Sequence, residues 1–363
     1  MFGLFDWIHG IKPTGYILLG TALTGAVIVY AGAKLSVYGD KLAEISGLSS
    51  SWVGMILLAT ITSIPELASS ITATVVKAPD MGVGNIFGSN MFNMFIIAIL
   101  DFLQGPGPVL LSVSATQVLP AALGIFLMAI AATGISVTNF FKAHAASGSG
   151  NPASVWGWIF SMLILLGWII GVYISYRAEQ STVSDEEFMR RPNKKDLRKV
   201  ILKFSLSAAV VIVMGIMLIG FAKELASREI TIGSTKIVLG NSFVGTIIVA
   251  LITSLPEVVV SISAYKIGAV NMAVANLFGS NTFNVVLIPV MEFVSGKESI
   301  LAMVQPHHIV SAGFAIAMTT IAIMGVVYRS RKSFLYLGLD ALAILGFYLL
   351  GSYLIFSITT HIG

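Results

Sequence analysis

The chain of 363 residues contains no cysteine. That absence excludes a disulfide framework, a thiolate metal site and a cysteine nucleophile. Charge is also scarce: Asp, Glu, Lys and Arg make up 10% of residues, against about 25% in a typical soluble protein. Hydrophobic residues reach 56% and the mean hydropathy is +0.92. A surface facing water needs far more charge than this. The composition therefore excludes a soluble globular enzyme, a disordered chain and a DNA-binding domain, and fits a surface facing lipid. The five histidines form no HExxH pattern, so a zinc-peptidase site has no support. The net charge of +4 would suggest a nucleic-acid partner in a soluble chain; here it reads as a membrane-orienting charge.

A membrane-spanning helix needs about 20 predominantly apolar residues. Such stretches recur ten times, near 15–36, 46–76, 82–101, 115–140, 154–176, 201–222, 237–267, 272–294, 306–328 and 333–358. Turn chemistry separates them at Gln104-Gly105-Pro106-Gly107-Pro108, at Ser147 to Pro152 and at Ser295-Gly296. The start of the chain lacks a basic region followed by a small-residue cleavage site, so no removable signal peptide is expected. The fold expected is an all-α membrane protein of ten helices.

The densest basic stretch is Arg177, Arg190, Arg191, Lys194, Lys195, Arg198 and Lys199, between spans five and six. Placing it in the cytoplasm puts both termini outside and divides the 21 basic residues into 14 inside and 7 outside, as the positive-inside rule requires. The natural divisions are a first half over 1–176, a solvated cytoplasmic connector over 177–199 and a second half over 200–363.

The strongest signal is internal. Residues 51–100 and 242–291 align without a gap at an offset of 191, with 24 of 50 positions identical. The first copy carries AxITSIPE at 59–66 and NIFGSNMFN at 85–93; the second carries AxITSLPE at 250–257 and NLFGSNTFN at 276–284. Five spans separate equivalent helices. Five is odd, so the copies cross the membrane in opposite senses. This is the inverted-repeat plan of secondary transporters, whose binding site lies near the midplane where the copies meet.

Glu66 and Glu257 each follow about 20 residues without a charge. A carboxylate at that depth is costly and normally faces a water-filled cavity or a partner. No Lys or Arg lies near the matching depth of either span, so the counter-charge expected is a bound cation or a proton. Thr62 and Ser63 fall on or near the Glu66 helical face, and Thr253 and Ser254 repeat this around Glu257. Pro65 and Pro256 remove a backbone donor, which makes carbonyls near Ala59 and Ile61, and near Ala250 and Ile252, available as ligands. Ser89 and Asn93 share one helical face, as do Ser280 and Asn284. Asn85 and Asn276, a turn earlier, suit interhelical hydrogen bonding as well as ligation. Gly84 with Gly88, and Ala275 with Gly279, form small-residue faces for close helix contact. The donors are all hard oxygens, which suit Ca²⁺, Na⁺ or Mg²⁺ and not zinc or copper. Mg²⁺ dehydrates reluctantly, so a dry cage favours Ca²⁺. Two carboxylates neutralise one Ca²⁺ or hold two or more Na⁺, and sharing one set of ligands between the two ions gives antiport.

At these residues the sequence resembles the sodium/calcium exchanger family, within the cation/Ca²⁺ exchanger superfamily. Its signature pairs a TSxPE segment with a GNxxGSNxxN/D segment, present here as ITSIPE with GNIFGSNMFN and as ITSLPE with ANLFGSNTFN. The resemblance implies ion sites surrounded by spans two, three, seven and eight. Glu66 and Glu257 match the principal carboxylates. Thr62, Ser63, Thr253, Ser254, Ser89 and Ser280 match hydroxyl ligands, Ala59 and Ala250 match carbonyl ligands, and Asn93 matches an amide ligand. It also implies that spans one and six slide across the other eight. Several exchangers carry aspartate where this chain has Asn284, so a third carboxylate is absent, which weakens the case for potassium co-transport.

Other polar residues receive ordinary readings. Asp101 and Glu292, also 191 apart, are expected to be solvated span ends. Asp340, seven residues into the last predicted span, is expected near the cytoplasmic interface or hydrogen-bonded locally. His307 and His308 are expected at the interface, and Trp156, Trp158 and Trp168 at the interface or in packing. The function expected is Na⁺/Ca²⁺ antiport by alternating access, with Ca²⁺ and Na⁺ as substrates, no cofactor and no obligate protein partner. The runner-up is a H⁺-coupled exchanger of Ca²⁺ or another cation. A channel is disfavoured by the inverted duplication. An intramembrane enzyme is disfavoured because no serine–histidine, paired-aspartate or HExxH arrangement sits at membrane depth.

Overall fold

The computed structural model describes residues 14–144, 152–180, 194–232, 235–238, 250–296, 298–329, 333–334 and 337–362. Long apolar runs form helices here because hydrocarbon offers the backbone no other hydrogen-bond partner. In chain order these are α1 (Thr14–Ser46), α2 (Ser50–Val75), α3 (Pro79–Gln104), α4 (Val118–Ala143), α5 (Pro152–Gln180), α6 (Lys194–Ser227), α7 (Leu255–Lys266), α8 (Val270–Ser295), α9 (His308–Tyr328) and α10 (Leu339–Ile362). Among the described residues, all but α7 are long and apolar enough to cross a membrane. The start of the seventh predicted span, 239–249, lies outside the described residues, as does the connector over 181–193.

The architecture is an all-α membrane protein built from two inverted five-helix repeats. Helix α1 packs along α6; α2 and α7 lie against both of these and against α3 and α8; α4, α5, α9 and α10 flank them. Helices α3 and α8 are the most buried spans, with large core side chains such as Phe87, Phe92 and Phe278 fully enclosed. On the outside of the bundle, apolar residues such as Leu23, Tyr30, Leu166 and Leu206 are exposed, as a lipid-facing surface requires.

The repeat extends into the turns. Helix α2 ends with Lys77 at φ +57° and α7 with the equivalent Gly268 at φ +86°. Both ends are closed by a bond five residues back, Ala78 N–H to Ala73 O at 2.8 Å and Ala269 N–H to Ala264 O at 2.9 Å. This satisfies carbonyls that a helix terminus leaves free. Gly105 and Gly296 likewise close α3 and α8 at φ +80° and +82°, the left-handed region open to glycine.

Four sequence expectations are corrected. The seventh and tenth spans do not begin at 237 and 333: Glu229–Ile232 pairs antiparallel with Thr235–Val238, and Ser333–Phe334 with Leu337–Gly338. Asp340 is accordingly the second residue of α10; its Oδ1 accepts from Ala341 N–H at 3.0 Å. Asp101 and Glu292 are not solvated; they are 1% and 0% exposed. Each binds the backbone eight residues ahead, Asp101 Oδ1 accepting from Val109 N–H at 2.5 Å and Glu292 Oε2 from Ile300 N–H at 2.8 Å. Asp101 Oδ2 also accepts from Gly338 N–H at 2.7 Å, and Glu292 Oε1 from Ser161 and Ser299 hydroxyls at 2.9 and 2.8 Å. A carboxylate can sit at a span end without water because it ties down loop donors that would otherwise lack partners. Finally, His308 is buried and contacts Asp80 Oδ1 through Nε2 at 3.0 Å.

Candidate ion-binding site

The two acidic motifs meet at the centre of the bundle, where α2 and α7 pack against α3 and α8. The backbone of each copy is irregular at the motif. In the first copy a π-helical stretch, Val53–Leu58, runs into Ala59, and Pro65 lies inside the helix. Pro65 has no N–H for the carbonyl of Ile61. In the second copy residues 250–253 are helical, the chain turns at Ser254, and α7 starts again at Leu255 with Pro256 in its first positions. That places Glu257 in the first turn of α7, where the helix dipole favours negative charge. Irregular backbone is tolerated at membrane depth where it lines a cavity or is enclosed by protein.

Glu66 and Glu257 are each 1% exposed. All four of their carboxylate oxygens are buried without a hydrogen-bond partner among the described residues. Glu257 lies within electrostatic range of Glu66 and beside the Thr62 and Ser63 hydroxyls. Ser63 and Ser254 hydroxyls are likewise buried and unpartnered. Unpaired carboxylates in such a place are expensive, so the arrangement calls for a proton or a bound cation as counter-charge.

The other expected ligands divide into open and engaged oxygens. Thr62 donates to Ala59 O at 3.3 Å and lies 3.4 Å from the Ser280 hydroxyl, which draws α2 to α8. Thr253 is half-buried; its hydroxyl donates to Ala250 O at 3.1 Å, and that carbonyl also accepts from Ser254 N–H at 3.0 Å. Ala250 therefore has both lone-pair directions engaged, in contrast to the open oxygens nearby. Ser89 is buried on α3. Asn276 gives its amide N–H to Ser261 at 3.0 Å, the interhelical bond anticipated as one of its two readings.

Asn93 and Asn284 are oriented by two residues that motif reasoning did not single out. Asn93 Nδ2 donates to Asn281 Oδ1 at 3.0 Å, and Asn284 Nδ2 donates to Asn90 Oδ1 at 3.0 Å. Asn90 and Asn281 each donate in turn to the other's backbone carbonyl. With their nitrogens committed, Asn93 and Asn284 keep Oδ1 buried and unpartnered. The signal was present in sequence: Asn90 and Asn281 are the N of both GSN triplets, one residue beyond the serines.

Glycine sets the spacing of the helices. A Cβ at Gly54 would fall on the Met272 carbonyl, and one at Gly279 on the Met55 carbonyl, so α2 and α8 meet backbone to backbone. Gly279 belongs to the small-residue face read from the sequence, and this contact is what the face serves.

Comparison with known proteins gives the family and the fold. The model for the family described as sodium/calcium exchanger protein matches residues 16–177 and 207–359. The inner membrane protein YrbG of Escherichia coli is 25% identical over 283 residues, covering 75% of this chain and 78% of that one. The sodium/calcium exchanger MaX1 of Methanosarcina acetivorans is 26% identical over 290 residues, covering 73% and 79%. A solved structure of the sodium-calcium exchanger NCX_Mj superposes with a TM-score of 0.64 at 19% identity, over 92% of this chain and 98% of that one. The family model covers most of the chain, both motifs included, and the protein is therefore a member of the sodium/calcium exchanger family.

Proposed function

We propose that this chain is a secondary active antiporter that exchanges Na⁺ for Ca²⁺ by alternating access, with one central site between its two repeats. The carrying observation is the pair Glu66 and Glu257, two buried carboxylates with no protein partner among the described residues, set among neutral oxygens. Their two charges balance one Ca²⁺. In place of one Ca²⁺ the same oxygens hold two or more Na⁺, of which two balance the carboxylates. Ion exchange follows because Ca²⁺ and Na⁺ compete for the same carboxylates.

In this reading Glu66 and Glu257 are the principal ligands. Ser63, Ser254, Thr62, Ser89, Ser280 and Thr253 supply hydroxyls, Asn93 and Asn284 amide oxygens, and Ala59 a carbonyl; the Ala250 carbonyl joins them when the Thr253 hydroxyl turns from it to the ion. Residues 1–176 and 200–363 are the two working halves, joined by a cytoplasmic connector, with both termini outside a prokaryotic plasma membrane. Ca²⁺ and Na⁺ are substrates; no resident cofactor and no protein partner enter the cycle.

The test is uptake of ⁴⁵Ca²⁺ into proteoliposomes under Na⁺, K⁺ and H⁺ gradients in turn. Uptake driven by the Na⁺ gradient and lost in Glu66→Gln and Glu257→Gln is expected. Uptake that follows the pH gradient and ignores sodium would assign H⁺-coupled exchange instead. Uptake unchanged in both variants would remove the site assignment.

A further inference from the structure

The two repeats are nearly interchangeable around the site, and Lys223 breaks the equivalence about one helical turn from it. Position 69 on α2 corresponds to position 260 on α7, each three residues beyond its glutamate. In both halves the crossing helix makes a polar contact there. On α7 the contact is neutral: Ser36 of α1 donates to Val260 O at 2.9 Å, and Gly32 of α1 lies against Val259 and Val260. On α2 the contact is a cation: Lys223 of α6, the position equivalent to Gly32, donates from Nζ to the Ser69 hydroxyl at 2.9 Å.

Ser69 is one helical turn from Glu66, so the Lys223 ammonium sits about one turn from a ligand carboxylate. No carboxylate pairs with Lys223 among the described residues. The neighbouring Glu224 is occupied by Arg228, its Oε1 lying 2.6 Å from Nη2. An ammonium carries three donors, and one of them goes to Ser69. Ser69 lies between Glu66 and the end of α2 that closes at Val75, so the Lys223 charge stands on that side of Glu66.

We propose that Lys223 is a specificity-determining residue: a fixed positive charge on one access route that has no counterpart on the other. It disfavours cations approaching Glu66 from that face. Because Coulomb energy scales with ion charge, it disfavours a divalent ion twice as strongly as a monovalent one. The two faces of the membrane therefore see different Ca²⁺ affinities although the ligands are shared. The inference rests on reading Glu66 and Glu257 as the ion site.

Two measurements test it. In oriented vesicles, half-saturating Ca²⁺ and Na⁺ concentrations are measured separately from each face for the wild type, Lys223→Gln and Lys223→Arg. Lys223→Gln is expected to lower the Ca²⁺ value about tenfold and the Na⁺ value about threefold at one face, and to leave the other face within about twofold. Lys223→Arg is expected to resemble the wild type. Equal shifts at both faces, or none, overturn the proposal.

The second measurement needs no transport. The chain has no cysteine of its own, so Ser69→Cys introduces one thiol beside Lys223. A neighbouring ammonium favours the thiolate, and alkylation by iodoacetamide at neutral pH is expected to run about tenfold faster with Lys223 than with Lys223→Gln. Equal rates, or no reaction at all, also overturn the proposal. A wild type that carries no Ca²⁺ would instead remove the exchange reading, and the thiol assay would still judge Lys223.

Discussion

Asn90 and Asn281 hold one another across the centre of the molecule. Asn90 Nδ2 donates to the Asn281 backbone carbonyl at 3.3 Å, and Asn281 Nδ2 donates to the Asn90 carbonyl at 3.2 Å. The residues are 191 apart, so the bond pair lies on the axis that relates the two repeats. Their side-chain oxygens then fix Asn284 and Asn93. A single reciprocal contact thus joins α3 to α8 and aims two amide oxygens.

Breaking this contact should disturb ion binding more than its distance from the carboxylates suggests. Asn90→Ala leaves the Asn284 amide nitrogen without its acceptor and free to turn. Apparent Ca²⁺ affinity is expected to fall about tenfold, by analogy with residues that orient metal ligands elsewhere. The double variant Asn90→Ala/Asn281→Ala should cost less than the sum of the singles, because the groups act as one network. Additive losses in a binding titration would count against a shared network.

Removing a ligand charge should stabilise the ion-free protein while abolishing its response to ions. Glu66→Gln takes one unpaired carboxylate out of the buried pair, expected to add about 1–3 kcal/mol when cations are chelated. The wild type should gain about 2.7 kcal/mol at Ca²⁺ a hundredfold above its Kd, and the variant nothing measurable. Thermal unfolding in detergent with and without Ca²⁺ reads both effects. A variant less stable than the wild type under chelation would refute the account of strain at the site.

Gly279→Ala should be severely damaging, since the new methyl meets the Met55 carbonyl and neither backbone can retreat. A loss of about 3 kcal/mol is expected from overpacking of this kind. Gly313→Ala on α9, where a Cβ meets nothing within 4 Å, should be neutral or stabilising by about 0.5–1 kcal/mol through helix propensity. Comparing the unfolding midpoints of the two variants checks the claim.

Glu292→Gln removes the acceptor for Ser161, Ser299 and the loop backbone at once. An amide keeps one acceptor oxygen and adds donors that point at other donors. A destabilisation of about 2–3 kcal/mol is expected, with ion affinity nearly unchanged because the residue lies at the far end of α8. A selective loss of Ca²⁺ binding with unchanged stability would mean that Glu292 takes part in transport.

Much of the molecule was legible before any coordinates. Hydrocarbon admits few backbone solutions, so apolar runs had to become helices, and the duplication at 191 residues located both motifs. Glu66 and Glu257 stood out because a charge among so many apolar residues needs a reason. The misreadings share one cause. Asp101, Glu292 and His308 lie near span ends, where a linear sequence places water. The residues that cover them, Val109, Ile300 and Asp80, lie 8 to 228 positions away in sequence. The ends of α7 and α10 were placed too early because apolar residues at 237–238 and 337–338 serve short strands as readily as helices.

Composition and periodicity settle what depends on the solvent: a membrane protein, its spans, its inverted duplication and its two deep carboxylates. Each of these follows from local chemistry repeated along the chain. Which oxygen of Asn93 stays free, which carbonyl of the motif is engaged and which lysine comes to rest beside Ser69 depend on helices far apart in sequence crossing at one point. Hydrogen bonds of about 3 Å are set by those crossings, and a backbone contact such as Gly279 on Met55 fixes the crossings.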